Sequence, residues 1–165
     1  MKVDKEAGFR EFVATRQTAL VRTGRLLTGD WSSGEDLVQA ALVKTYLAWP
    51  KIKDKDAVEA YVRKTMARLA VSWSRKRSST EQPTAEPPDR PVSYPDPVAD
   101  DDPLWRAVRT LPPGQRAVLV LRFHADLSEA DTAAALGVTV GTVKSQAARA
   151  LTTLRGKLTV PEVTR

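Results

Sequence analysis

The chain has 165 residues, no cysteine and a net charge of +6, from 26 Lys/Arg against 20 Asp/Glu. The lack of cysteine excludes disulfides, thiolate zinc sites and thiol redox sensing within the chain. No apolar run approaches the roughly 20 residues that span a bilayer, and the opening Met1-Lys2-Val3-Asp4-Lys5-Glu6 lacks the apolar core of a signal peptide, so a cytoplasmic protein without membrane insertion is expected.

Charge divides the chain into three parts. Residues 1–77 hold 16 Lys/Arg against 9 Asp/Glu, residues 78–103 hold 1 against 7, and residues 104–165 hold 9 against 4. The middle part also holds seven of the eleven prolines and closes in Asp100-Asp101-Asp102. Such a composition supports no packed core and predicts an extended, mobile linker between two small domains. The basic flanks suit a polyanionic partner such as nucleic acid.

In chain order, Phe9, Phe12/Val13, Ala19/Leu20, Thr23 and Leu26/Leu27 form one stripe at helical spacing, stopped near Gly29-Asp30. Ser32 or Ser33 can cap a second helix, with Glu35 and Asp36 complementing the dipole of its first turn. Leu37/Val38, Ala41/Leu42, Thr45 and Ala48/Trp49 face inward along it until Pro50. A third helix opens near Asp54 or Asp56 and turns Val58, Tyr61/Val62, Thr65/Met66, Leu69 and Trp73 inward. It finishes in Arg75-Lys76-Arg77, which suits a helix C-terminus. Lys64, Arg68 and Arg75 share a face of this helix. With Tyr61, Ser72, Trp73, Lys76 and Arg77 nearby, that face has the cations and rings that hold phosphates and stack on an unpaired base, although Trp73 is expected to pack inward.

Beyond the linker, Leu104-Trp105, Val108 and Leu111 predict a short helix, and Pro112-Pro113-Gly114 a turn. The apolar run in Arg116–Phe123 could be a strand, but its length and the helical patterns around it favour a buried helix. The last third reads as a helix-turn-helix. Ser128 and Asp131 form a variant capping box, Ala133 and Ala134 permit close approach, Gly137 supplies a left-handed stop and Thr139 caps the next helix. Val143, Ala147, Ala150/Leu151, Leu154 and Leu158 then recur inward. Thr139, Val140, Gly141 and Thr142 start the helix end that enters a major groove, with Ser145 and Gln146 on the same outer face; Lys144 and Arg149 suit phosphate. The whole chain reads as all-α.

Two features argue against catalysis. Of the small acidic cluster Asp30, Glu35 and Asp36, two are explained by helix capping, and no second acidic cluster, suitable histidine or glycine-rich phosphate loop accompanies them, so no enzyme, metal or cofactor is expected. His124, the single histidine, is expected to be a packing or surface residue.

A three-helix domain with an acidic-capped second helix and a basic, aromatic third, then an acidic tether and a helix-turn-helix, resembles the extracytoplasmic-function group of bacterial RNA polymerase sigma factors in its short actinobacterial form. Leu27-Thr28-Gly29-Asp30, Gly34-Glu35-Asp36-Leu37-Val38-Gln39 and Tyr46-Leu47-Ala48-Trp49-Pro50 look like that family's polymerase-binding helix. Ala60-Tyr61-Val62-Arg63 through Ser72-Trp73 and Arg75-Lys76-Arg77 is similar to the segment that recognises and melts the downstream promoter element. Leu111-Pro112-Pro113-Gly114-Gln115-Arg116-Ala117-Val118-Leu119 with Gly141-Thr142-Val143-Lys144-Ser145 looks like the domain that reads the upstream element.

The resemblance implies domains at 1–77 and 104–165 around a linker at 78–103. It also implies that Glu35, Asp36, Leu37 and Gln39 serve the surface docking on the clamp helices of the polymerase's largest subunit. Core RNA polymerase and promoter DNA are the implied partners, and an anti-sigma factor that clamps the two domains together is a further one. The acidic linker would occupy the RNA path, where its charge imitates nucleic acid. Three positions depart from the family pattern: Ala40, where many relatives carry an acidic or polar residue; Arg68, where asparagine is common; and Val140, in place of a small hydroxyl residue. Promoter preference is therefore not expected to follow relatives at either element. The alternative is a free-standing, dimeric helix-turn-helix regulator, which would bind palindromic DNA without polymerase.

Overall fold

The computed structural model describes residues 2–80 and 102–158; the greater part of the expected linker, 81–101, lies outside the described residues. Those residues form seven α-helices and no strand: α1 (Lys2–Thr28), α2 (Trp31–Ala48), α3 (Val58–Thr80), α4 (Pro103–Arg109), α5 (Pro113–Leu119), α6 (Glu129–Leu136) and α7 (Val140–Leu158). No helix among the described residues is long and apolar enough to cross a membrane.

Helices α1 and α2 form an antiparallel pair held at both ends. Near the turn, Gly24 and Gly34 face each other so closely that a β-carbon on Gly24 would lie 2.6 Å from the Gly34 carbonyl oxygen, and one on Gly34 would lie 2.7 Å from the Arg25 nitrogen. At the far end the Phe9 ring meets Tyr46 and Trp49 edge-on, at 5.1 and 5.4 Å between centroids. Gly29 ends α1 in the left-handed region at φ 101°, with its amide donating to the Arg25 carbonyl at 2.8 Å.

The start of α2 differs from the expectation. Asp30, not Ser32 or Ser33, is the cap, its carboxylate accepting from the Ser33 amide at 2.7 Å, so both serines lie inside the first turn. The reason is geometric: Asp30 follows the left-handed Gly29 in extended conformation (φ −150°), which already aims its carboxylate at the free amides. Helix α3 begins after a short 3-10 turn at Lys55–Ala57 and lays Val58, Val62, Met66, Ala67 and Ala70 against the α1–α2 pair.

In the second group Asp102 caps α4 through the Leu104 amide at 2.9 Å, and Pro113 takes the first position of α5. The apolar run after Arg116 is helical. It widens into a π turn over Val120–His124, where the Ala125 amide donates back to the Val120 carbonyl at 2.8 Å. The helix-turn-helix forms as its sequence predicts. Ser128 caps α6 through the Asp131 amide at 3.0 Å, Gly137 turns left-handed at φ 68°, and Thr139 accepts from the Thr142 amide at 3.1 Å at the head of α7. Val118, Ala133 and Val143 join α5, α6 and α7, while Ala107, Val108, Leu119, Ala150 and Leu154 join α4, α5 and α7.

The two groups, expected as separate bodies on a tether, share a core. Ala117, Val120, Leu121 and Ala135 belong to one buried cluster with Leu20, Leu37, Val62 and Met66. The α1–α2 crossing makes a direct stability test. Gly24→Ala should force two backbones apart and lower stability by about 1–3 kcal/mol, the range for overpacked sites. Gly156→Ala, on α7 with open space around it, should raise stability by about 0.5–1 kcal/mol. Urea unfolding followed by circular dichroism measures both, and equal responses would contradict the packing at Gly24.

Candidate nucleic-acid and polymerase interfaces

The outer face of α7 is built by opposition. Val143, Ala150 and Leu154 are buried on one side, which leaves Val140, Gly141, Lys144, Ser145 and Arg149 exposed on the other, with Thr139 exposed in the turn before them. Thr142 and Gln146 are half-buried. The Thr142 hydroxyl lies 2.9 Å from that of Thr139, and Ser145 donates to the Thr142 carbonyl at 3.1 Å, so the hydroxyls at the helix start are already oriented. A rigid helix start with two cations one turn or more behind it can enter a groove and hold backbone on its flank.

On α3 the structure separates residues that the sequence groups together. An open cavity of about 520 Å³ lies between the end of α2 and α3, lined by Lys44, Leu47, Ala48, Lys51, Tyr61, Thr65, Arg68, Leu69 and Ser72. Of the expected strand-capturing residues, Tyr61, Arg68 and Ser72 meet there; Lys64, Arg75, Lys76 and Arg77 lie elsewhere on α3. Trp73 packs against the core, as its place in the apolar stripe predicts. Lys44, Lys51 and Thr65 were not anticipated at such a site. The signal was present in Lys44 and Lys51, which are seven apart on the α2 side, but periodicity alone does not bring them opposite Tyr61. One ring, three cations and two hydroxyls around an open cleft match an unstacked base and its phosphates.

Arg68 has a second engagement. Although its side chain is exposed, its Nε donates to the Ala135 carbonyl on α6 at 2.9 Å. A single guanidinium thus belongs both to the cleft and to the contact between the two helical groups.

The expected polymerase-binding residues also divide. Asp36 and Gln39 are exposed and Glu35 is half-buried, but Leu37 is fully buried in the core. Gln39 instead continues into a groove of about 340 Å³ lined by Phe9, Val13, Gln17, Leu42, Val43, Tyr46 and Leu47. Val43 is 60% and Leu47 72% exposed, which is unusual for large apolar side chains side by side. The apolar run Leu42-Val43 with Tyr46-Leu47 is wider than the inward stripe of α2 can use, and that excess is the signal for this surface. Leu47 lines both the groove and the cleft, so the two sites adjoin.

Among the described residues no three His, Asp or Glu side chains come together to hold a metal ion. Asp30 is committed to its cap. His124 stands at the rim of the contact between the groups, with its Nε2 3.1 Å from the Thr23 hydroxyl. Partial burial lowers its pKa from the ordinary 6.5, nearby Arg63 lowers it further, and Asp126 and Glu59 act in the opposite sense. Arg116 is likewise lowered by desolvation and by the positive charges of Arg77 and Arg109.

Comparison with known proteins places both helical groups. The model of the family described as Sigma-70 region 2 matches residues 12–80, and that described as Sigma-70, region 4 matches residues 101–154. The chain is 42% identical over 151 residues to an RNA polymerase sigma-E factor of Streptomyces coelicolor, covering 91% of this chain and 85% of that one. It is 44% identical over 151 residues to the factor of the same name from Streptomyces avermitilis, covering 91% and 84%. It is 33% identical over 132 residues to the ECF RNA polymerase sigma factor ShbA of Streptomyces griseus, covering 73% and 69%. Among solved structures, it shares its fold with the sigma factor RpoE of Bartonella quintana, crystallised with the anti-sigma factor NepR; the TM-score is 0.67 at 24% identity, over 93% of this chain and 98% of that one.

His124 gives a pH test with one sign. A base whose folded pKa is depressed binds fewer protons folded than unfolded, so its contribution is complete above about 6.5 and fades as the pH falls below that value. The single histidine resonance should titrate below 6.5. The loss of urea stability between pH 7.5 and 5.5 should be smaller in His124→Gln than in the parent chain. A midpoint at or above 6.5 would contradict its partial burial beside Arg63.

Proposed function

The chain belongs to the sigma-70 family as an extracytoplasmic-function RNA polymerase sigma factor, which binds core polymerase and directs transcription initiation at its promoters; from that premise we propose how its residues divide the work. Residues 1–77 hold polymerase and the opened downstream element, residues 104–165 read the upstream element, and residues 78–103 are the acidic tether between them. The chain acts in the cytoplasm with polymerase, which supplies the catalytic metal and the chemistry, while this chain supplies specificity and no reaction of its own.

The observation that carries this division is the adjacency of the apolar groove and the cationic cleft at Leu47. Polymerase docks along α2, on Asp36, Gln39 and the exposed Val43, Tyr46 and Leu47, with Glu35 at its edge and Leu37 holding the helix in place from below. The coiled clamp helices of the largest subunit fit such a groove, which takes apolar anchors at helical spacing. A strand opened beside that dock enters the cleft, where Tyr61 stacks on a base and Lys44, Lys51 and Arg68 meet phosphates. Lys64, Arg75, Lys76 and Arg77, outside the cleft, extend a phosphate track along α3. In the upstream groove, Thr139, Val140, Gly141, Thr142, Ser145 and Gln146 face base edges while Lys144 and Arg149 hold backbone. A sequestering partner of the kind seen with the Bartonella quintana factor is a further assignment for the groove on α2.

Run-off transcription with core polymerase, over a pool of genomic promoter fragments at fixed salt, tests the reading. Discrete transcripts are expected only when the chain is present. Val43→Asp or Leu47→Asp, both at exposed positions, should weaken core binding more than about tenfold, as loss of a central apolar anchor does. Leu37→Ala should instead destabilise the fold, by about 2–5 kcal/mol. Equal core affinity in Leu47→Asp and the parent chain would remove α2 from the dock.

Upstream, Lys144→Ala and Arg149→Ala should each lower affinity on every promoter alike and reduce the slope of log affinity against log salt by about 0.9, the value for one phosphate contact. Gln146→Ala should alter promoter ranking instead. Promoter-selective effects from Lys144→Ala would reverse the assignment of phosphate and base contacts.

A further inference from the structure

The seam between the two helical groups is rich in arginine. Arg25 lies 3.9 Å from the centre of the Trp105 ring, and Arg68 donates to the Ala135 carbonyl. A third cluster of guanidiniums has no ring or helix-end carbonyl to account for all of it. Arg116, on α5, is its centre. The Nη1 of Arg116 donates to the carbonyl of Arg109, the last residue of α4, at 3.2 Å, while its Nε is buried and finds no hydrogen-bond partner among the described residues. Gly29 supplies the room for this contact. A β-carbon there would lie 3.4 Å from Arg116 Nη1 and 3.7 Å from Arg109 Cγ, so the turn after α1 lays bare backbone against both side chains. Arg77, in the last turn of α3, stands near enough to act on the charge of Arg116 together with Arg109. Arg77 and Arg109 are exposed and Arg116 is half-buried.

Three like charges so placed repel one another, and a single carbonyl offsets only part of that repulsion. An anion relieves it, and a guanidinium turned toward phosphate gains two parallel N–H contacts in place of an unpartnered nitrogen. We propose that Arg77, Arg109 and Arg116 form a binding site for a diphosphate group, free or carried on a nucleotide. A single phosphate group carries about two negative charges at neutral pH, fewer than the three cations facing it, and a second phosphate makes up the difference. The depth of the site favours a small ligand over a nucleic-acid backbone. A duplex presents its phosphates on a broad convex surface, which reaches the two exposed arginines but not the half-buried one between them. A short phosphate chain reaches all three. Arg77 comes from the first helical group and the other two from the second, so the bound diphosphate links them. This site stands apart from the promoter reading, in which Arg77 alone of the three is given to DNA.

Calorimetric titration of the full chain with pyrophosphate, in magnesium-free buffer at physiological salt, tests the site under conditions that screen diffuse attraction. One saturable site per chain is expected. Arg109→Gln and Arg116→Gln should each weaken binding by about tenfold or more, as loss of a charged hydrogen-bonding partner does. Arg10→Gln and Arg16→Gln remove the same charge from exposed positions on the first half of α1 and should leave the affinity unchanged. Pyrophosphate should also raise the urea midpoint of the parent chain but not that of Arg109→Gln.

Should Arg116→Gln fail to fold, Arg109→Gln carries the test, since Arg109 is exposed and the substitution keeps the backbone carbonyl that Arg116 uses. ADP separates the two sources of the ligand. Equal affinity for ADP and pyrophosphate supports a site for the phosphate chain alone, and tighter binding of ADP supports a nucleotide as its carrier. A parent chain with neither saturable heat nor a shifted midpoint overturns the proposal. Equal weakening by Arg16→Gln and Arg109→Gln overturns it too, by reducing the binding to general attraction of a polyanion to a basic protein.

Discussion

The backbone contact between Gly24 and Gly34 is the constraint from which the rest of the molecule follows. Two helices that approach until a carbonyl oxygen occupies the place of a β-carbon cannot shift along each other without a clash. Fixing that crossing leaves only a short connection between α1 and α2, which the left-handed Gly29 and the Asp30 cap close. The register so set brings Phe9 to Tyr46 and Trp49 at the opposite end and turns Asp36, Gln39, Val43 and Leu47 outward together. It also puts Trp31 beside Arg25, one turn from the crossing. The apolar groove on α2, the cleft beside α3 and the seam are therefore consequences of one close approach that only glycine permits.

Cations dominate the seam, and their burial needs an account. Arg116 has its pKa lowered by desolvation, with Arg77 and Arg109 adding repulsion, and its Nη1 finds the Arg109 carbonyl at 3.2 Å. Arg25 meets aromatic faces, and Arg68 meets a helix-end carbonyl. Each makes a contact with a neutral group of oriented charge distribution, a ring quadrupole or a peptide dipole. Neutral partners leave the positive charge of the body undiminished, which a protein that must hold polyanionic DNA requires. A seam of carboxylate pairs would be more strongly attractive at short range but would cancel the field that gathers DNA.

Much of the fold was legible because its signals are local. Ser128, Gly137 and Thr139 act within three or four residues of themselves, and each makes in the structure the cap or stop its chemistry dictates. Pattern also settled the run after Arg116 as helix, although the π turn at Val120–His124 left no mark that spacing could reveal. The α2 cap moved to Asp30 because its geometry depends on the left-handed residue before it, which a list of capping residues does not weigh. Leu37 was assigned to a docking surface by likeness of motif, while its own place in the apolar stripe already put it in the core. The seam was illegible for a different reason. Arg25 and Trp105, or Arg68 and Ala135, lie on opposite sides of the linker, and pairings at that separation impose no period on either segment.

Helix α3 shows how such a site can nevertheless leave a trace. Val58, Val62, Met66 and Ala70 face the core, Tyr61, Thr65, Arg68, Leu69 and Ser72 line the cleft, and α5 and α6 press on what remains. A helix that serves one core shows one apolar stripe and one polar face. One that serves a core, a ligand cleft and a second group of helices cannot, because its intermediate positions must satisfy two environments in turn. Tyr61, Lys64, Thr65, Ser72 and Trp73 are all half-buried. These are amphipathic or small polar side chains, each able to present an apolar body to one neighbour and a polar tip to another. A stretch in which such residues replace a clean stripe therefore marks a helix whose surroundings change. For this chain, the two environments meet at Arg68, which lines the cleft and donates to the Ala135 carbonyl of α6.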